Sequence, residues 1–219
     1  MTRTIRAYLA KRGSSVYLSH LDMQRMMMRA VRRAGIDLWY TEGFNPHPYL
    51  AFAMPLSLGI ESEGEPVDIR LEGDMSNEEV RERLNATLPR DVEITAVRDA
   101  VMKPNMIAEA EYTIELEGCF AKAVRDALSD GSLPAEKTGK AGRKKAVKTI
   151  NCCDYIDALT AEDMPDGVTV INAVLACGSE KNLSPLLLIK ALGEKLGIAL
   201  TAKKVVRKRL MTEDLKDFE

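Results

Sequence analysis

Histidine is scarce in this chain of 219 residues: it has two, His20 and His47. Cysteine is almost as rare, with Cys119, Cys152, Cys153 and Cys177. No C-x-x-C or C-x-x-x-C-x-x-C spacing occurs, so no local loop is built to hold zinc or an iron–sulfur cluster. Adjacent Cys152 and Cys153 do not form the framework of a secreted disulfide scaffold either. No apolar run approaches membrane-spanning length, and MTRTIRAYLAKRGSS offers no signal-peptide core. The expectation is a reducing, cytoplasmic setting with structural thiols, no membrane association and no bound cofactor or metal. The formal net charge of −2 is also small, but it hides a segregation. Residues 1–50 carry eight basic side chains (Arg3, Arg6, Lys11, Arg12, Arg25, Arg29, Arg32, Arg33) against Asp22, Asp37 and Glu42. Residues 61–83 reverse the sign, with nine carboxylates against Arg70, Arg81 and Arg83. A near-neutral total is therefore compatible with a strongly positive face.

The pattern along the chain predicts an α+β protein. TIRAYLAK alternates as a strand. Ser19-His-Leu-Asp22 has the form of a helix cap, and a helix should run to Ala34 and stop at Gly35. IDLWY and YLAFAMPL read as short strands on either side of the TEGFNPHP loop. PVDIRLEG reads as another strand, Ser76 caps a second helix, and DVEITAVRDA closes the unit. The order β-α-β-β-α-β over residues 1–100 predicts a ferredoxin-like sandwich. Residues 101–108 read as a linker, and 109–211 as a second sandwich of the same type, in tandem with the first. There, EYTIELEG is a strand and CFAKAVRDALSD a helix. A basic hairpin or loop follows, DYIDALTAE is a short helix or turn, and GVTVINAVLACG is a strand. SPLLLIKALGEKLGI is a helix and ALTAKKVVRKRLM a last strand. Residues 212–219 read as a frayed acidic tail.

At about 100° per residue, Met23, Met26, Met27, Ala30 and Ala34 share one side of the first helix. Asp22, Arg25, Arg29, Arg32 and Arg33 gather on another. Arginine suits bidentate phosphate or carboxylate recognition, although a charged helix face is also what water alone requires. The GFNPHP loop holds Phe44, Asn45 and His47 between stiff turns. Phe44, Tyr40 or Trp39 could stack on a base while arginines hold its phosphates. His47 could equally cap its own turn, and His20 the helix start. Two further basic tracts, Lys137–Lys148 and Lys203–Arg209, fit either polyanion contact or protection of a sheet edge. A catalytic or metal-assisted role for His20, Asp22 and His47 is chemically open, because imidazole titrates near neutrality, but no compact ligand motif supports it.

The stretch from Ser19-His20-Leu21-Asp22 through Gly43-Phe44-Asn45-Pro46-His47-Pro48 to Leu56–Glu65, with Gly59 and Ser62, resembles the radical SAM-linked family, a domain of unknown function. The resemblance is specific over residues 1–100 and looser beyond. One departure is Thr41, where many members have serine. Members occur alone or fused after a radical SAM, cobalamin-type domain, often encoded beside ribonuclease G and ribosomal protein genes. The resemblance therefore implies a radical SAM partner and an RNA or ribosomal setting. With no cluster loop, this chain should not itself cleave S-adenosylmethionine. The leading expectation is a non-catalytic accessory protein that binds RNA or presents it to that partner. Arg25, Arg29, Arg32 and Arg33 would hold phosphates, Tyr40, Phe44, Asn45 and His47 would shape the pocket, and Glu65 would orient the arginines. The alternatives are an enzyme acting on nucleic acid through His20, His47 and Asp22, and a protein-binding scaffold.

Overall fold

The computed structural model describes residues 1–141 and 144–219, leaving aside the side chains of 138–146. It is a mixed α+β fold with a mostly antiparallel sheet and four α-helices among the described residues. The chain divides into two compact units, the first made of Met1–Met106 with Arg207–Arg209 and Asp217–Glu219. No helix among the described residues is long and apolar enough to cross a membrane.

In the first unit the elements are β1 (Thr2–Lys11), α1 (His20–Arg33), β2 (Leu50–Phe52), β3 (Glu61–Glu72), α2 (Asn77–Asn85) and β4 (Val92–Asp99). Their order in the sheet is β4-β1-β3-β2. Alternation in β1 explains its two faces. Ile5, Ala7 and Leu9 are buried and pack with Met23, Met27 and Val31 of α1 and with Val80 and Leu84 of α2. The methionine side of α1 is thus the core side, as its spacing predicts. Arg6 and Tyr8 point the other way. Arg6 sits opposite Asp68 in the β1–β3 register and binds it with two bonds of 2.7 and 2.9 Å.

The acidic tail is not frayed. Phe218 is 2% exposed, with the Arg6 guanidinium 4.1 Å above its ring. Tyr8 donates to the Phe218 carbonyl at 3.2 Å, and the Met102 N–H to the Glu219 carbonyl at 2.8 Å. A single aromatic beside a buried guanidinium outweighs the polar neighbours that suggest fraying. IDLWY also departs from expectation. It forms no regular strand, only isolated bridges from Leu38 to Leu71 and from Tyr40 to Pro48, since Gly35 and the following loop leave little length for pairing.

The second unit contains β5 (Ile107–Glu117), α3 (Ala121–Leu128), β6 (Pro134–Ala141), β7 (Lys144–Asn151), β8 (Ile156–Asp163), β9 (Val168–Ala176), α4 (Pro185–Leu196) and most of β10 (Ala202–Thr212). The sheet order is β10-β5-β9-β8, and β6–β7 is a separate hairpin. DYIDALTAE, expected as a short helix or turn, supplies the strand β8. Its alanines and leucine favour a helix, but pairing of β8 along β9 overrides that preference. Of the four thiols, Cys152 is fully buried; burial, and then the neighbouring Cys153, push its pKa up to about 11. It therefore stays a thiol near neutral pH.

Candidate nucleic-acid interface

Helix α1 starts where a serine can cap it. Ser19 is extended, and its hydroxyl accepts the Asp22 N–H at 3.2 Å. The hydroxyl also donates to the Asp22 carboxylate at 2.6 Å. That bond, helped by Arg25, holds the Asp22 pKa below the ordinary carboxylate value. Gly35, at φ +61°, supplies the left-handed turn that ends the helix. Ser19→Ala should cost about 1 kcal/mol in folding stability. The backbone cap does not titrate, but the Asp22 pKa is lowered on folding, so the Ser19 bond to the Asp22 carboxylate helps above its unfolded value and is lost as pH falls through the folded value. Thermal melts of the variant should show a full deficit at neutral pH that narrows in acid.

The four arginines of α1 do not form one ridge. Arg25, Arg29 and Arg33 line a cleft of about 1200 Å³ whose opposite wall is the turn from α2 to β4, with Thr87, Leu88, Pro89, Arg90 and Asp91. Arg32 faces a different depression, with Asp37, Tyr40 and Glu72. The expected grouping fails because different segments pack on the two sides of α1, and a 100° arc spans both. Arg90 was not foreseen; its sequence context, LPRD, gives no sign that it faces the helix. Within the cleft, Arg33 donates to the Thr87 carbonyl at 2.8 Å, and Arg25 lies 3.5 Å from Asp22. Arg29 and Arg90 have no hydrogen bond or ion pair among the described residues. The two carboxylates are already engaged. Asp91 takes the Ser14 N–H at 3.0 Å and the Ser14 hydroxyl at 2.5 Å, bonds that lower its pKa. Four guanidinium groups against two occupied carboxylates leave the cleft with an excess of positive charge.

The GFNPHP segment is the tip of a tight loop closed by the Tyr40–Pro48 bridge. Thr41 N–H donates to the His47 carbonyl at 2.9 Å, and His47 N–H to the Thr41 hydroxyl at 3.2 Å. His47 Nδ1 lies 3.0 Å from the Asn45 carbonyl. The Thr41 hydroxyl lies 3.2 Å from the same nitrogen; a carbonyl only accepts, so the Asn45 contact is a hydrogen bond in the tautomer that carries its proton on Nδ1. His47 therefore does cap its own turn, and the hydroxyl at Thr41 is part of that cap. Phe44 at the tip is fully exposed, and Tyr40 is 44% exposed. Trp39 is partly buried and already engaged: the Arg70 guanidinium lies 4.5 Å from its ring and 5.1 Å from that of Tyr49.

His20, Asp22 and His47 do not converge. Asp22 lines the arginine cleft, while His47 belongs to the loop tip. His20 borders a separate internal cavity of about 10 Å³, with Lys11, Met23, Phe52 and Glu65, just enough space for one water. Gln24 lies 3.1 Å from His20 Nε2, and the Phe52 ring meets the imidazole edge-on at 5.4 Å. Among the described residues, no group of three His, Cys, Asp or Glu side chains comes together to hold a metal ion.

Glu65 is not beside the α1 arginines. It is 3% exposed and forms a two-bond pair with Arg207, one bond being 2.8 Å from Arg207 Nε. Ser62 donates to it at 2.5 Å. Lys11, 1% exposed, lines the same cavity and donates to the Leu18 carbonyl at 3.2 Å. Burial lowers the Lys11 pKa; Glu65 opposes that, and Arg207 adds to it. Arg207 thus leaves the set of basic side chains open to a polyanion. Lys208 is paired with Glu63 and Arg209 with Asp217. In the other basic tract, Lys137 donates to the Asn182 carbonyl at 2.7 Å, whereas Lys140, Arg143, Lys144 and Lys145 lie outside the described side chains.

Fold and site together define an α+β protein with a mostly antiparallel sheet and an arginine-lined cleft. The chain belongs to the family described as "Uncharacterized protein conserved in bacteria (DUF2344)", whose model matches residues 4–185. No curated protein is detectably similar in sequence. Among solved structures, a chain of a Cbf5-Nop10-Gar1 complex is similar in fold, with a TM-score of 0.54 at 10% identity. The match covers 96% of this chain and 50% of that one, so this chain spans about half its length. An unknown protein from Galdieria sulphuraria matches over 92% and 98% of the two chains at 14% identity, with a TM-score of 0.27, too distant to bear on the fold.

Proposed function

We propose that this protein is a non-catalytic accessory module that binds RNA, built from two ferredoxin-like βαββαβ sandwiches. The sandwich reading is supported by the two sheet orders, β4-β1-β3-β2 and β10-β5-β9-β8, with β6–β7 as an insertion in the second. The observation that carries the RNA reading is the cleft of α1. It offers two guanidinium groups with no hydrogen bond or ion pair among the described residues, Arg29 and Arg90, beside two more whose donors are only partly used. Unpaired arginines at a concave surface suit phosphate oxygens, which accept their paired N–H groups. The exposed Phe44 and Tyr40 supply aromatic faces for bases elsewhere on the same unit. A radical SAM enzyme as the partner, receiving the bound RNA in the cytoplasm, rests on the resemblance of the SHLD and GFNPHP segments.

The test is a titration of total cellular RNA with the full chain over a range of salt. Binding should be measurable at low salt and weaken in proportion to a power of salt concentration, because counterions are released from the phosphates. Binding that is absent, or indifferent to salt, would contradict the proposal and favour an acidic protein surface as the occupant of the cleft.

A further inference from the structure

The cleft has a direction and a bounded length. Arg25, Arg29 and Arg33 succeed one another by one helical turn, so their Cα atoms rise by steps of about 6 Å. That interval is comparable to the separation of neighbouring phosphates along one RNA strand. The opposite wall runs alongside the helix. Thr87 is joined to its C-terminal end, through Arg33 and through a 3.2 Å bond to the Ala30 carbonyl. Asp91 is joined to Ser14, ahead of its N-terminal end. Both carboxylates of the cleft, Asp22 and Asp91, therefore lie toward the N-terminal end, and both have lowered pKa values that keep them anionic. A strand laid along the arginines meets negative charge there. Leu18, Met26, Leu88 and Pro89 add apolar surface between the walls, and no aromatic ring lines the cleft among the described residues. Bases placed there would meet apolar surface without stacking.

We propose, resting on the RNA reading above, that this cleft seats one short run of single-stranded RNA, about four nucleotides long, with little sequence preference. The strand enters from the Arg33 end and stops at Asp22 and Asp91. The volume of about 1200 Å³ is only a little above that of a pocket enclosing one drug-sized ligand, about 300–1000 Å³. It suits a few nucleotides and not a duplex.

The experiment measures binding of labelled oligouridylates of two, four, six and twelve nucleotides, and of an RNA duplex, to the full chain at several salt concentrations. Affinity should rise steeply up to about four nucleotides and then only with the number of available registers. The plot of log K against log salt should reach a slope of about −2 to −3, from three to four single-strand phosphate contacts at about −0.7 each. Arg29→Ala should flatten the slope by about 0.7. Lys122→Ala removes an exposed charge on α3 that is paired with Asp126 and should leave the slope unchanged. A slope that keeps steepening out to twelve nucleotides, or tighter binding of the duplex, would overturn the seat. If total RNA binds but no oligouridylate does, the seat alone is refuted. If neither binds, the RNA reading goes with it.

Discussion

Glu65→Ala is expected to destabilise the protein by about 3–5 kcal/mol, a large part of the roughly 5–15 kcal/mol that holds a typical domain folded. Glu65 is the anion of a buried cluster that contains two cations, Arg207 at 2% exposure and Lys11 at 1%. Its carboxylate takes both N–H groups of the Arg207 fork and the Ser62 hydroxyl. Truncation takes the Glu65 carboxylate away from a buried guanidinium and a buried ammonium group, beside a cavity with room for a single water. Lys11 adds a pH signature. Its folded-state pKa is already below 10.5, and Glu65 is the group that raises it. In the variant it must fall further. A lysine with a lowered folded pKa destabilises most below that pKa, and the cost shrinks as pH rises toward its unfolded value. The deficit of Glu65→Ala, read from urea midpoints, should therefore diminish from neutral pH toward pH ~10. A loss below about 1 kcal/mol, the range of an exposed pair, would contradict the cluster. Equal loss at both pH values would remove Lys11 from it.

Phe218→Ala should be nearly as costly, at about 3–5 kcal/mol. The ring is buried against Arg6, whose partner Asp68 is itself on the central strand pair. Removing it opens a void over a guanidinium that already has one unpartnered nitrogen, Nη1. Phe218→Leu keeps most of the volume and loses the ring face, so it should cost less, by about 0.5–2 kcal/mol for the lost cation–π contact. Chemical denaturation of the three proteins measures the difference. Equal stability of all three would mean that the terminal segment is frayed after all.

These two predictions rest on features the sequence could not show. Glu65 and Arg207 are 142 residues apart, and nothing local to either announces the other. Phe218 lies among acidic residues that read as solvent-exposed tail. The features that were legible are local. The alternation of β1, the serine caps of α1 and α2, the methionine side of α1 and the stop at Gly35 each depend on neighbours within a few residues. The arginine cluster was half legible. Periodicity placed four arginines within one arc of α1, but the α2–β4 turn and the Tyr40 segment decide which of them share a cleft. Arg90 joins them through tertiary packing alone. The misread β8 shows the same limit in the fold, since its residues favour a helix until β9 pairs with them.

The most direct test of the cleft as the RNA surface repeats the salt titration of total RNA with Arg25→Ala/Arg29→Ala/Arg33→Ala. Three lost contacts at about −0.7 each should flatten the slope by about 2 and weaken binding about 100-fold at 0.1 M salt relative to the 1 M reference. Binding and slope unchanged in the triple variant would contradict the account, placing any RNA contact elsewhere on the chain.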